Sequence, residues 1–304
     1  MELPENKVEL ARRGNKVVYD AGDRIVKVFN NSKPESDVFN EALNLARIEE
    51  SGIRVPAIVE VSRCEEGWAL ATEKIAGTTL AERMKADKKN VEAYLEQFVR
   101  LQLEINGHTA PLLNRQRDKY ARMINGLTEI DATTRYELLM RLDGMKVENR
   151  VCHGDFNPSN VIVGDDGLLY VCDWAHATQG SPAADAAMTY LLFALEDLDL
   201  ADKYLVLFCK MADMPIQVVR RWTSIVAASE LARHRDAKEE EFLRSWIDVA
   251  DYQEGWLTER SRGPRRLLAN VLARMLVRVV ANSGCGMFAT EPPGAFRVLG
   301  PCRW

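Results

Sequence analysis

The chain has 304 residues, with 45 acidic against 40 basic side chains, a formal net charge of −5 and a 47% hydrophobic fraction. That is ordinary for a globular protein with a substantial core, in one large domain or two small ones. The slight acidity argues against a general polyanion binder such as a nucleic-acid protein, and no run of about 18 uncharged apolar residues indicates a membrane span.

The opening stretch, MELPENKVELARRG, lacks the apolar core of a secretory leader. Cys64, Cys152, Cys172, Cys209, Cys285 and Cys302 are scattered, without a C-x-x-C pair. In a chain of this size they predict no disulfide framework, and the expectation is a reduced, cytoplasmic protein.

Lys16–Tyr19 and Arg24–Phe29 read as two short strands joined by the turn Asp20-Ala21-Gly22-Asp23. Ile25 and Phe29 share a face with Lys27, so this lysine either snorkels at an exposed edge or points to a ligand. A helix follows over Ser36–Glu50 and stops at Ser51-Gly52, with Val38, Ala42, Leu45 and Ile48 as its apolar stripe. Glu41 adjoins that stripe. Ala57–Arg63 and Trp68–Thr72 are further strands, and the second runs into an extended segment, Glu73–Leu80. Only Gly14 lies between the first candidate strands, so a glycine-rich phosphate loop is absent. Arg12, Arg13, Asn15 and Lys16 either contact phosphate there or are simply solvated.

From Leu80 the pattern turns helical. Val91–Gly107 carries a helical period. Asp131 reads as the N-cap of a helix through Leu142, with Gly144 past its end. Pro182–Leu195, Lys203–Met211, Ile216–Leu231 and Glu239–Val249 read as later helices, and Arg265–Ala281 as a basic, apolar terminal one. Ser283–Trp304 has no periodicity and reads as a loose tail.

The most informative stretch is Cys152–Trp174, CHGDFNPSNVIVGDDGLLYVCDW. Asn160–Val163 and Leu168–Cys172 are strand-like runs around Gly164-Asp165-Asp166-Gly167, a strong turn signal. Folded across that four-residue loop, Val163 faces Leu168, Val161 faces Tyr170 and Asn160 falls opposite Val171. Asp173 lies just beyond the same open end, and diagonal neighbours on paired strands are roughly 7–8 Å apart. Asn160 and Asp173 are then placed to flank one cation. Few oxygen ligands suit magnesium, which keeps water and borrows phosphate oxygens. A carboxylate at Asp155 able to take a hydroxyl proton completes the equipment of phosphoryl transfer.

Asp155 and Asn160 have the spacing of the kinase catalytic loop H-R-D-x-x-x-x-N, with Gly154 where protein kinases have arginine. HGDxxxxN followed by Asp173-Trp174 after a short hairpin resembles the aminoglycoside phosphotransferase and choline kinase-like family. The resemblance implies an α+β, bilobal protein-kinase-like fold. Residues 1–76 would form a small β-rich nucleotide-binding N-lobe with its hinge. Residues 77–260 would form a larger, mainly helical C-lobe with the catalytic hairpin, and residues 261–304 a C-terminal helix and flexible tail. It implies ATP and Mg2+ as cofactors and a small-molecule hydroxyl acceptor as partner, with an aminoglycoside, an amino alcohol and a sugar-like compound as the acceptor types.

By the same resemblance Lys27 holds the α- and β-phosphates. Glu41 orients it, with Glu35 as a competitor, and backbone groups near Glu73 and Ile75 meet adenine. Asp155 is the catalytic base, Asn160 and Asp173 are the metal ligands, and Asp185 braces the catalytic loop. His153 reads as structural, and His176, three residues after Asp173, as a residue that could line the site. Asp236, Glu239, Glu240, Glu241, Asp248 and Asp251 form either an acidic acceptor pocket or a solvated face. Trp222, Trp246, Tyr252 and Trp256 form either aromatic walls for a quaternary amine or plain core. A protein kinase would need a longer segment than Ala175–Ser181 to seat a peptide, and a non-catalytic nucleotide-binding scaffold would be expected to lose one of Asp155, Asn160 or Asp173.

Overall fold

The structure is a computed structural model that describes residues 1–233 and 236–247. The anticipated terminal helix and tail, His234, Asp248, Asp251, Tyr252 and Trp256 lie outside the described residues.

Short β-branched runs punctuated by turns build the small lobe. Strands β1 (Val8–Arg13), β2 (Lys16–Asp20), β3 (Arg24–Phe29), β4 (Ile58–Cys64) and β5 (Gly67–Glu73) form one antiparallel sheet in the order β1-β2-β3-β5-β4. Alternation along β3 sets its two faces. Val26 and Val28 cluster with Tyr19, Ala69 and Ala71 on one face, beneath Met1 and Leu3. Phe29 and Leu70 meet Val38 and Ala42 of helix α1 (Glu35–Glu50) on the other. Lys27 therefore points toward α1.

The link from β5 runs through Lys74–Ala76 into the short strand β6 (Gly77–Thr79) and helix α2 (Leu80–Ala86). Thr79 and Glu82 close α2 with a reciprocal capping box. Helices α3 (Val91–Gly107), α4 (Gln116–Gly126) and α5 (Ala132–Asp143) follow, then strand β7 (Arg150–Cys152). Asp131 caps α5 through the N–H groups of Thr133 and Thr134, as its sequence signal predicts. Strands β8 (Val161–Gly164) and β9 (Leu169–Val171) form the hairpin, with β6 on its outer edge, and β10 (Thr178–Gly180) pairs with β7. Helices α6 (Pro182–Glu196), α7 (Leu198–Met211), α8 (Ile216–Leu231) and α9 (Ala237–Ile247) complete the described large lobe.

Helix α6 is mostly apolar, apart from Asp185 and Thr189, and is buried along most of its length, packed against α7 and α8. One continuous core reaches from Leu45 and Ile48 of α1 to Leu243 and Ile247 of α9. Trp222 lies in this core and Trp246 packs against it, so their spacing reflects packing. Helix α4 has no counterpart in the sequence reading, because only Gln116, Tyr120 and Ile124 are buried along it. Among the described residues no helix is long and apolar enough to cross a membrane.

Candidate active site

The hairpin forms, but in a register one residue removed from the sequence expectation. Val161 pairs with Val171, Ile162 with Tyr170 and Val163 with Leu169. The Gly164 N–H donates to Leu168 O (2.9 Å), so Gly164 belongs to the ladder and the loop is three residues long. Gly167 takes the left-handed position, φ +81°, that such a loop needs. This register puts two fully buried valines, Val161 and Val171, on one face. Asn160 consequently sits opposite Cys172, whose N–H donates to Asn160 O (2.9 Å). Asp173 follows directly, so both expected metal ligands still stand at the open end.

A buried polar network holds the loop between β7 and β8. Asp185, near the start of α6, accepts the Gly154 N–H (2.8 Å) through Oδ1, and Asn106 Nδ2 (3.2 Å) and Gln102 Nε2 (3.5 Å) from α3 through Oδ2. Thr189 donates to Phe156 O (3.0 Å). His153 is fully buried and uses both ring nitrogens, with Nε2 donating to Cys172 O (3.0 Å) and Nδ1 accepting the Asp155 N–H (3.2 Å). It is a strut tying the loop to the hairpin. Gly154 has φ +75°, and a Cβ there would lie 2.7 Å from His176 O. That closeness explains why arginine does not occupy this position.

Asp155 is largely enclosed. Burial raises its carboxyl above the ordinary range; His153 and Arg233 oppose the shift and Asp173 adds to it. A raised value suits a group that must take a proton near neutrality better than an ordinary carboxylate does. Asn160 Nδ2 donates to Asp155 O (2.9 Å) and approaches Asp155 Oδ2 (3.4 Å), so its amide oxygen is the atom that could face a cation.

The small lobe meets this loop at Asp173, itself in the left-handed region at φ 64°. Lys27 Nζ lies 2.8 Å from Glu41 Oε1 and 2.9 Å from Asp173 Oδ1. Burial alone would lower the Lys27 ammonium, but the two carboxylates outweigh it and raise the group. Burial likewise pushes Asp173 up, yet Lys27 and Lys16 hold it well below the usual range. Of the two candidate acids, Glu41 is the one that pairs with Lys27; Glu35 turns away to pair with Arg63.

Lys16 supplies a second ammonium, 3.0 Å from Asp173 Oδ2, from the strand that follows the glycine-poor β1–β2 turn. Arg12 instead pairs with Glu9 at the surface. Asn44 of α1 donates to Trp174 O (3.3 Å) and Ala175 O (3.4 Å), pinning the turn after Asp173. No sequence expectation attaches to Asn44, although its place one helical turn from Glu41 on a buried face is a usable signal.

Glu73 ends β5 and its N–H is bonded to Ala57 O (2.8 Å). The Glu73 amide is therefore taken within the small lobe, and Ile75 lies in the link between β5 and β6. Asp236 caps α9 through the N–H groups of Lys238 and Glu239.

No curated protein sequence matches the chain. Solved structures do share its fold. A thermostable mutant of the aminoglycoside phosphotransferase APH(4)-Ia, in ternary complex with AMP-PNP and hygromycin B, aligns with a TM-score of 0.61 and 14% identity over 81% of this chain and 92% of that one. An aminoglycoside-3'-phosphotransferase of type VIII aligns at 0.52 and 17% identity, covering 74% and 93%. A choline/ethanolamine kinase family protein from Mesorhizobium loti aligns at 0.51 and 14% identity, covering 93% and 90%. Residues 12–216 match the model of the phosphotransferase enzyme family. That span runs from the end of β1 to the first residue of α8 and takes in both lobes' contributions to the cleft, so the chain belongs to the phosphotransferase enzyme family.

Proposed function

We propose that this protein transfers the γ-phosphoryl group of ATP to a hydroxyl of a small molecule, in the cytoplasm. The observation that carries the reading is the meeting of Lys27, Glu41 and Asp173 across the two lobes, beside an enclosed Asp155. The nucleotide carried by an APH(4)-Ia structure of the same fold supports ATP as donor.

Asp155 orients the acceptor hydroxyl and receives its proton. Lys27, held by Glu41, and Lys16 are the cations placed to meet phosphate oxygens. The Glu73 carbonyl and Ile75 backbone are the hinge groups for adenine. Asn160 Oδ1 and the Asp173 carboxylate are hard oxygen donors that fit Mg2+. Among the described residues no cluster of three or more His, Cys, Asp or Glu side chains forms a closed metal cage, which suits an ion shared with phosphates. The ion, when bound, neutralises charge on the transferring group; positioning and charge neutralisation account for the catalysis.

The segment after Trp174 favours a small acceptor over a peptide. It is one helical turn followed by β10, paired to β7, and it enters α6 at once. The test is magnesium-dependent ADP release against hydroxylated amines, sugars, sugar acids and aminoglycosides, with Asp155→Ala alongside. Asp155→Ala is expected to fold, bind ATP and lose turnover by at least a hundredfold. Near-normal turnover in that variant would remove Asp155 from its role.

A further inference from the structure

The large lobe around Asp155 carries an unexpected charge pattern. Lys119 of α4 donates from Nζ to His176 O (2.9 Å), the same carbonyl that crowds Gly154. Arg233, just past the end of α8, donates to Gly154 O (3.4 Å). It pairs with the fully buried Glu230 at 2.9 Å, and its Nε is buried without a hydrogen-bond partner. Arg122 lies one turn beyond Lys119 on α4 and adds to the positive charge acting on it.

Two elements of the large lobe thus bring cations onto Gly154, the residue before Asp155, and onto His176, whose carbonyl lies against Gly154. The acids that act on Lys119 are Glu230 and Asp155. Glu230 is taken up by Arg233, and Asp155 is reserved for chemistry. Burial, then Arg233, pushes the Lys119 ammonium down to about 7, the behaviour of a cation with too little negative charge around it. Burial, then Arg233 and Lys119, also keeps the His176 imidazole neutral. Arg233 lies beyond residues 12–216, the span of the family match.

We propose that the acceptor is a small hydroxylated anion, bearing a carboxylate or a phosphate monoester that Lys119 and Arg233 bind while Asp155 takes the hydroxyl. A polycationic acceptor would place its ammonium groups against these two side chains, and like charges so juxtaposed exclude the wrong partner. A guanidinium presents a fork that fits either oxyanion, so the two anion types share one recognition chemistry.

This rests on the phosphotransferase reading, and the experiment separates the two. ADP release is measured with glycerate and gluconate, with glycerol 3-phosphate, and with choline, ethanolamine and hygromycin B. The wild type is compared with Lys119→Met, Lys119→Arg and Arg233→Lys, and ATP binding is measured directly in each. Turnover of at least one anion is expected. The carboxylate and phosphate arms tell which oxyanion is read.

Lys119→Met is expected to raise the acceptor KM at least tenfold while the ATP KM stays within twofold, and Lys119→Arg to restore most of the loss. The inference is overturned if only cations or neutral sugars are phosphorylated, a result that leaves the phosphotransferase reading standing. It is equally overturned if Lys119→Met raises the ATP KM instead, which would make Lys119 a nucleotide contact. No ATP binding by the wild type would sink the underlying reading and this one with it. Arg233→Lys keeps a partner for Glu230, so a tenfold higher acceptor KM in that folded variant is the independent check.

Discussion

Replacing Asp185 with asparagine asks whether the buried network, and not the hairpin alone, sets the catalytic loop. Asp185 is 1% exposed and accepts from Gly154 N–H, Asn106 Nδ2 and Gln102 Nε2. Asparagine keeps one oxygen for Gly154, but turns an NH2 toward two donors. One sound charge-assisted bond is lost, about 1.5–3 kcal/mol, and a buried donor is left unsatisfied at about 1–3 kcal/mol. Relief from burying a carboxylate works in the opposite direction. A flip of Asn106 would remove the clash only by giving up its Nδ2 bond to Val151 O (2.8 Å).

The expected net loss for Asp185→Asn is about 2–4 kcal/mol, a large share of the ~5–15 kcal/mol typical of a domain. Urea unfolding reads it as a lower midpoint at unchanged slope. The folded variant should lose kcat while keeping its ATP KM, because Lys27 and Glu41 do not touch this network. A midpoint equal to that of the wild type would refute the reasoning, since the loop would then owe nothing to Asp185.

Gly154→Ala should fold but turn over at least tenfold more slowly with ATP affinity kept, because φ +75° and the 2.7 Å approach to His176 O force the loop beside Asp155 to shift; single-turnover kinetics with direct nucleotide binding checks this. A pH profile tests Lys119, which faces Arg233, Glu230, Arg122 and Asp155 and whose ammonium is lowered to about 7. The charged form exists below that value, so kcat/KM for an anionic acceptor should fall as pH rises through about 7, and Lys119→Arg, which stays charged, should flatten that limb.

The local pieces of this protein were legible because local physics decides them. The Val38, Ala42, Leu45 and Ile48 stripe marked α1, and Asp131 marked the start of α5. Asp155, Asn160 and Asp173 were visible as a spacing around a turn. The hairpin register was not, because counting Gly164 as loop or as strand is settled by burying Val161 against Val171, a tertiary matter. Lys27 shows the division most clearly. Its strand position left it free to be a surface lysine, and only the packing of α1 on β3 and of both on the large lobe supplied Glu41 and Asp173 as its partners. Lys119 and Arg233 carried no sequence signal at all. One rides a helix with few apolar positions, the other follows the end of a distant helix, and only the fold brings their charges to the same loop. The sequence by itself determined the spacing of Asp155, Asn160 and Asp173 on which the proposed chemistry rests, since a turn between two short strands fixes where they fall. The tertiary structure decided what surrounds them, since charges from remote elements acquire meaning only once they are near one another.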